Sequence, residues 1–374
     1  TGSLGTGAVV NNGHLRFDRT GTLAVPNNIS GTGYVTIDCP ISAGTIVFSG
    51  TNTFTGNVIV NSGALRVTGS AALGAGTKAV TLSNGTSGAP QLRLDGSNTS
   101  IELPDTITYK TSSNTGALIN EAGNNTISGD ITLTGGGGDT KILVSAGTLT
   151  LNGSISPNLT GRNLLLSGAG TGIITGAITN GGGVNTLAVS KNDTGTWLLS
   201  GTNTYSGITT INAGILALGS AGALGHGGLN IGNANGGSSL SAGATLDLNG
   251  QTGVNEVLTL RGNGTGGTGA LVNSAATPAS IAGGIVSAVA VISGGTHSTV
   301  PTVSIEGPGT NCTAVATLGL TAASFAIDGG TTVYSSPPTV SISGGGGSGA
   351  TATANLSGGV VSGITLTSAG AGYT

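Results

Sequence analysis

Charge, aromatics and methionine are what this chain lacks. Of 374 residues, ten are Lys or Arg and thirteen are Asp or Glu, 6% together, with a formal net charge of -3. Ordinary globular chains carry ~25% charge. Ten scattered cations cannot build the basic surface that nucleic acid requires. Nor is there enough like charge to keep the chain expanded and disordered. Aromatics are 3%, with a single Trp, which leaves little for a carbohydrate-stacking groove. No run approaches the ~18 consecutive apolar residues of a membrane-spanning helix. Proline, at ten residues, is too scarce for collagen, and glycine has no period of three. There is no initiator Met, and the chain opens Thr1-Gly2-Ser3, so a processed product or a cut-out segment is expected.

What is abundant is glycine, 73 residues. Between the glycines run short stretches of Val, Ile, Leu and Thr bounded by Gly, Asn and Ser, the pattern of strands and tight turns. Apolar spacing of helical period is absent. In His14-Leu15-Arg16-Phe17-Asp18, Leu65-Arg66-Val67, Leu92-Arg93-Leu94-Asp95, Leu246-Asp247-Leu248 and Leu258-Thr259-Leu260-Arg261, apolar and polar residues alternate. Successive strand side chains face opposite ways. Leu15, Phe17, Leu65, Val67, Leu92, Leu94, Leu246, Leu248, Leu258 and Leu260 are therefore expected inside, and the Arg and Asp between them outside, since an uncompensated charge is costly to bury. Phe48 and Trp197 are also expected in the core.

Internal repeats organise these strands. Gly44-Thr45-Ile46-Val47-Phe48-Ser49-Gly50-Thr51-Asn52-Thr53-Phe54-Thr55-Gly56 aligns with residues 195–207, which read Gly-Thr-Trp-Leu-Leu-Ser-Gly-Thr-Asn-Thr-Tyr-Ser-Gly. The match runs on, ungapped, through Asn61-Ser62-Gly63-Ala64-Leu65 and Asn212-Ala213-Gly214-Ile215-Leu216 to an Ala-Leu-Gly turn in each copy. Each unit reads as strand, turn, strand, turn, strand. Asn52 and Asn203 fall in equivalent turns, as do Asn61 and Asn212, where stacked amides could form ladders. A second repeat family starts near residue 283. Pro301-Thr302-Val303-Ser304-Ile305 recurs at 338–342, and Gly283-Gly284-Ile285-Val286-Ser287 is echoed at 358–362. Its unit is about 37 residues. The last unit stops at Gly372-Tyr373-Thr374, before the next expected Pro-Thr-Val-Ser-Ile, so either the chain is cut there or another chain supplies the strand.

Residues 195–218 resemble the autotransporter-associated β-strand repeat, including Gly207 and Thr209, and residues 44–67 resemble a second copy with Phe54 in the Tyr position. Weaker similarity extends over roughly residues 1–280. The resemblance implies a secreted, cell-surface bacterial passenger region folded as a right-handed parallel β-solenoid, with repeats that assist export and present adhesive or structural surface. It transfers no catalytic residue. The fold expected is all-β: a solenoid over 1–280, followed by a distinct Gly-rich β domain over 281–374. With one coil per roughly 20–25 residues, 1–280 would hold on the order of 11–14 coils. Sheet edges left open at the two ends of such a rod template further pairing.

A search for chemistry finds little. No Gly-x-Ser-x-Gly elbow and no phosphate-binding loop occur. Gly264 to Gly269 matches Gly-x-Gly-x-x-Gly, but no helix follows it. His14, His226 and His297 are scattered; His14 and Asp18 share one strand face without a nucleophile. No cofactor and no metal site is expected. Cys39 and Cys312 lack metal-ligand spacing and are expected as buried thiols or, alternatively, as an intermolecular disulfide. Asp95, Glu102 and Asp105 are the densest acidic group, expected as a solvated turn.

The reading these features favour is a non-enzymatic extracellular structural protein. It would be a segment or subunit of a surface fibre or adhesin that self-associates head to tail, without nucleic-acid partners or a membrane-spanning segment, and with cell-surface or polysaccharide contacts. The alternative is a polysaccharide-binding or -cleaving β-helix. That alternative requires Arg93, Asp95 and Asp105 to converge with charges from neighbouring coils on one face.

Overall fold

The computed structural model describes residues 3–40, 44–83, 90–111, 117–135, 139–225, 237–281, 333–343 and 346–371. The chain divides into two compact units, Thr1–Ala290 and Val291–Thr374. Among the described residues there is no α-helix, only a 3-10 turn at Thr265–Gly267, and no helix is long and apolar enough to cross a membrane.

The first unit is a parallel β-solenoid of about ten turns. Its strands stack into sheets of eleven, eight and seven strands, and every pairing within them is parallel. A fourth, two-stranded parallel pair joins Val9–Val10 to Ile29–Ser30. Each strand pairs with the one a coil away, so inward residues stack in rows. On the eleven-stranded sheet one row runs Ile46, Leu65, Leu92, Leu118, Ile142 and Leu166, all fully buried. On the seven-stranded sheet a row runs Val35, Val58, Val80, Tyr109, Ile131 and Ile155. The core is thus a column along the axis, as expected where each coil contacts only its neighbours. At ~4.8 Å per rung, eleven strands span about 50 Å.

Coil length is less regular than the sequence suggests. The step is 19 residues from Thr45 to its partner Ala64 and 29 from Thr209 to Ser238. With the longer steps the coil number, about ten, falls just below the 11–14 expected.

Most alternation-based assignments hold. Phe17, Leu65, Val67, Leu92, Leu94, Leu246, Leu248, Phe48 and Trp197 are buried. Leu15 and Leu258 are only partly buried, because each lies on the outermost strand of its sheet. Leu260, expected inside, is exposed: the strand Leu258–Thr259, the last of the eleven-stranded sheet among the described residues, ends before it. Asp247, expected outside, is buried, and its compensation lies a coil away. Its carboxylate accepts from the Ser274 backbone N–H and hydroxyl and from the Asn249 N–H.

In the second unit, Ser348–Ser357 and Val360–Ala371 form an antiparallel hairpin. Its turn is Gly358-Gly359, both at positive φ (59° and 82°), the backbone that a two-residue hairpin turn demands. Thr339, in the second Pro-Thr-Val-Ser-Ile, forms an antiparallel bridge to Thr353. The corresponding earlier motif, at 301–305, lies outside the described residues.

Candidate functional site

The residues that define the first repeat family converge on a corner joining three successive coils. In the 195–218 copy, strands Thr196–Leu199 and Gly214–Leu218 stack directly on one another in the eight-stranded sheet, with Thr209–Ile211 between them in the eleven-stranded sheet. The Gly-Thr-Asn-Thr-Tyr segment fills the remaining side of the coil. The buried Asn203 there acts as a staple. Its Oδ1 accepts from the Ile178 N–H at 2.8 Å, 25 residues earlier, and its Nδ2 donates to the Ala223 carbonyl at 2.5 Å, 20 residues later. Asn52 repeats this, accepting from the Ile29 N–H at 2.8 Å and donating to the Ala72 carbonyl at 2.6 Å. The two asparagines therefore bond the backbone of the coils before and after them, not another amide. An amide-to-amide contact of the expected kind occurs instead at Asn212, whose Nδ2 donates to Asn192 Oδ1 at 2.8 Å.

The acceptor of each staple belongs to an Ala-Leu-Gly turn. Gly74 and Gly225 close these turns at φ +80° and +75°. A Cβ on either would also meet the carbonyl oxygen of the repeat aromatic, at 2.3 Å from Phe54 and 2.5 Å from Tyr205. Only glycine satisfies both demands. The two aromatics are fully buried, and their surroundings differ. The Tyr205 hydroxyl bonds the Thr209 hydroxyl at 2.7 Å, and in register beyond Thr209 stands Ser238, whose Oγ donates to Glu256 Oε1 at 2.9 Å. Glu256 is only 4% exposed, and burial pushes its carboxyl up to about 7. In the other copy the matching residues are Phe54, Val58 and, in register beyond, Val80, with no hydroxyl among them. Lys78 lies over the Phe54 ring, 4.1 Å from its centre, and donates to the Phe54 and Leu73 carbonyls; burial lowers its amine to about 8.

Lys191 was not foreseen from the sequence. It is fully buried and stands in the inward row of the eleven-stranded sheet, between Leu166 and Ile211. Its stem continues the aliphatic row, while its amine donates to the carbonyls of Asn192, Asp193 and Ala213 at 2.7, 2.7 and 2.9 Å. Burial lowers it to about 8. Nothing in the alternation of Leu187-Ala188-Val189-Ser190-Lys191 distinguishes an inward lysine except its phase, two residues on from Val189.

The acidic residues singled out from the sequence are not brought together. Arg93 and Asp95 lie on a strand of the eleven-stranded sheet, Glu102 is exposed on the eight-stranded sheet, and Asp105 is exposed in the turn leading to the seven-stranded sheet. Arg93 instead shares Glu121 with Arg66, at 3.1 and 2.7 Å, in a half-buried ion-pair triad across neighbouring coils. Asp95 accepts from the Ser97 N–H within its own turn. His14 stacks on Tyr34 with ring centres 4.1 Å apart and bonds Thr36, while Asp18 pairs with Arg16. Cys39 is buried and its thiol is pushed up, chiefly by desolvation. Cys312, His226 and His297 lie outside the described residues. Among the described residues the geometry gathers polar groups to bind coil to coil and brings no acid, base and nucleophile together.

Comparison with known proteins agrees with this picture. The passenger-associated-transport-repeat family matches residues 42–67 and 189–218. The chain is also similar to the Adhesin BmaC autotransporter of Brucella suis biovar 1 (strain 1330), 32% identical over 301 residues. That match covers 66% of this chain and spans 8% of the length of the adhesin. No solved structure matches.

Proposed function

The chain carries autotransporter-passenger repeats on a parallel β-solenoid, and from that premise we propose that it is a surface-displayed, non-enzymatic adhesin segment. The observation that carries this reading is the use to which the repeat residues are put. Asn52 and Asn203, the Ala-Leu-Gly turns and the buried aromatics are all engaged in joining one coil to the next. What remains outside, among the described residues, is largely Thr, Ser and Asn with scattered apolar side chains, few charges and no grouped chemistry. Similarity to an autotransporter adhesin supports the same reading.

Within it, the solenoid unit presents a nearly uncharged stack of coils at the bacterial surface, and solenoids associate end to end into longer fibres. Support for that association comes from the strands at the two ends of the stack, His14–Phe17 and Gly21–Val25 at one and Leu258–Thr259 and Leu271–Val272 at the other, each paired on one side only among the described residues. An unpaired strand edge recruits further strands. Display of the chain on a non-adherent bacterium tests the adhesin reading. Attachment to host-cell monolayers is expected to rise above that of the same host displaying an unrelated β-solenoid, and equal attachment overturns it. Negative-stain microscopy tests the association: fibres of increasing length with concentration are expected, and dispersed particles at all concentrations count against it.

A further inference from the structure

Lys78 and Lys191 aim their buried amines at carbonyl oxygens; the buried Glu256 has no comparable company. It is 4% exposed and stands just ahead of Leu258–Thr259, the last described strand of the eleven-stranded sheet. Its Oε1 accepts from the Ser238 hydroxyl, while its Oε2 is buried and accepts from nothing. The groups packed on it bring no positive charge. Strand Ser238–Leu240 contributes Ser238. One rung further, Thr209–Ile211 contributes Thr209, whose hydroxyl bonds that of the fully buried Tyr205. Tyr205 is titratable, but burial raises its hydroxyl, with a further push from the Glu256 charge, so it stays protonated. The preceding residues 251–255 are uncharged. Across the coil, Asp247 is held by Ser274 and Asn249, and Arg261, in the same segment as Glu256, is exposed. None of the four ion pairs among the described residues includes Glu256.

The segment that carries Glu256 is lightly held. Leu258 and Thr259 pair with Ser238 and Ser239 alone, and the Val257 carbonyl accepts from the Ser238 N–H at 2.8 Å. Val257 and Leu260 are exposed. Firm anchors lie on both sides of it. Before it, the buried Val254 bridges Ile281; after it, the Thr265 hydroxyl donates to the Gly214 and Gly243 carbonyls. An ionised carboxylate in this place has one hydrogen bond where water would give several, and no cation offsets its burial. Freeing the short segment between the anchors relieves that cost without unfolding the coil.

We propose that Glu256 is a proton-operated latch on this segment. Protonated, it stays inside and holds residues 255–260 against Ser238–Leu240. Ionised, it carries that segment into water and leaves Ser238–Leu240 as the outermost described strand of the sheet. One proton passes from the carboxyl to water and no covalent bond changes. The strand edge that this end of the sheet offers therefore changes with pH, whatever the solenoid binds.

Hydrogen exchange on the whole chain, resolved by peptide and divided by the intrinsic rate at each pH, tests the latch. In wild type, opening at 255–260 should rise roughly tenfold per pH unit between about pH 5 and 7, then level off. The sheet interior at 162–167 and 187–191 should show no such rise. Glu256→Gln should make the profile flat. Ser238→Ala removes the one bond that favours the carboxylate, so the rise should continue past about pH 7. His226 lies outside the described residues, and His226→Gln should leave the wild-type profile unchanged. A flat wild type, a slope that survives Glu256→Gln or vanishes in His226→Gln, or an equal slope in every coil overturns the proposal. Should Glu256→Gln fail to fold, the wild-type slope and its extension in Ser238→Ala decide, and an unextended slope in Ser238→Ala overturns it.

Discussion

The two clearest repeats share a sequence pattern and a bonding pattern, yet they occupy different sides of the solenoid. In the 44–67 copy the first and third strands lie in the eleven-stranded sheet and the second in the seven-stranded sheet. In the 195–218 copy the first and third lie in the eight-stranded sheet and the second in the eleven-stranded sheet. The whole unit has moved round by one side. Both copies nonetheless keep a 19-residue step between stacked strands and an asparagine bonded to the coils on either side. The repeat thus encodes how one coil grips its neighbours, not where on the rod it sits. That is how a stack with nearest-neighbour energetics is expected to behave.

The largest expected effect tests this equivalence. Asn52→Ala and Asn203→Ala each orphan a buried N–H and a buried carbonyl, so each should cost about 2–4 kcal/mol, at ~1–2 kcal/mol per unsatisfied group. Denaturant melts of the two variants should agree within the error of the measurement. A large cost at one and none at the other would break the equivalence. Gly74→Ala and Gly225→Ala should come next, at about 1–3 kcal/mol each, through the strained φ and the close carbonyl together.

Smaller and more discriminating is the difference at the buried aromatics. Phe54→Tyr buries a hydroxyl facing the Val58 side, and Tyr205→Phe strands the Thr209 hydroxyl; each should cost about 1–2 kcal/mol. Restoring the other copy's pair should recover most of that loss: Phe54→Tyr with Val58→Thr, and Tyr205→Phe with Thr209→Val. Double-mutant cycles measure the coupling directly. Additive losses, without recovery, would mean that the two corners are not interchangeable.

Much of the solenoid was legible in the strands themselves. Alternation placed Leu65, Val67, Leu92 and Leu94 inside, because that information lies within four or five neighbouring residues. The repeated Gly-Thr-Asn-Thr marked a corner before its bonds were known. What could not be read depends on contacts a coil away. Asp247 is tolerated inside because of Ser274, and Leu260 is left outside because its strand ends at Thr259, in the last described strand of that sheet. Lys191 fits an aliphatic row because three carbonyls of its own corner and the next coil receive its amine. With steps that vary from 19 to 30 residues, no fixed period brings such partners into view. The shift of the repeat from one side to another is hidden for the same reason.

The titratable neighbours of the two aromatics should give the two regions opposite responses to pH. Glu256, beyond Tyr205, has its carboxyl raised by burial from 4.5 to about 7. Between those values the unfolded chain has released the proton and the folded chain holds it, so stability falls as pH rises through the window and levels off above about 7. Lys78, over Phe54, has its amine lowered by burial from 10.5 to about 8. Between about 8 and 10.5 the unfolded chain holds the proton and the folded chain has released it, so there stability rises with pH. Glu256→Gln should flatten the first slope and leave the second; Lys78→Met should leave the first and reduce the second by about half, because Lys191, lowered by burial to about 8 as well, supplies the rest. Thermal melts from pH 4.5 to 10 on the three proteins read both windows. A neutral-side slope that persists in Glu256→Gln would place the responsible carboxyl elsewhere, and with it the asymmetry between the copies.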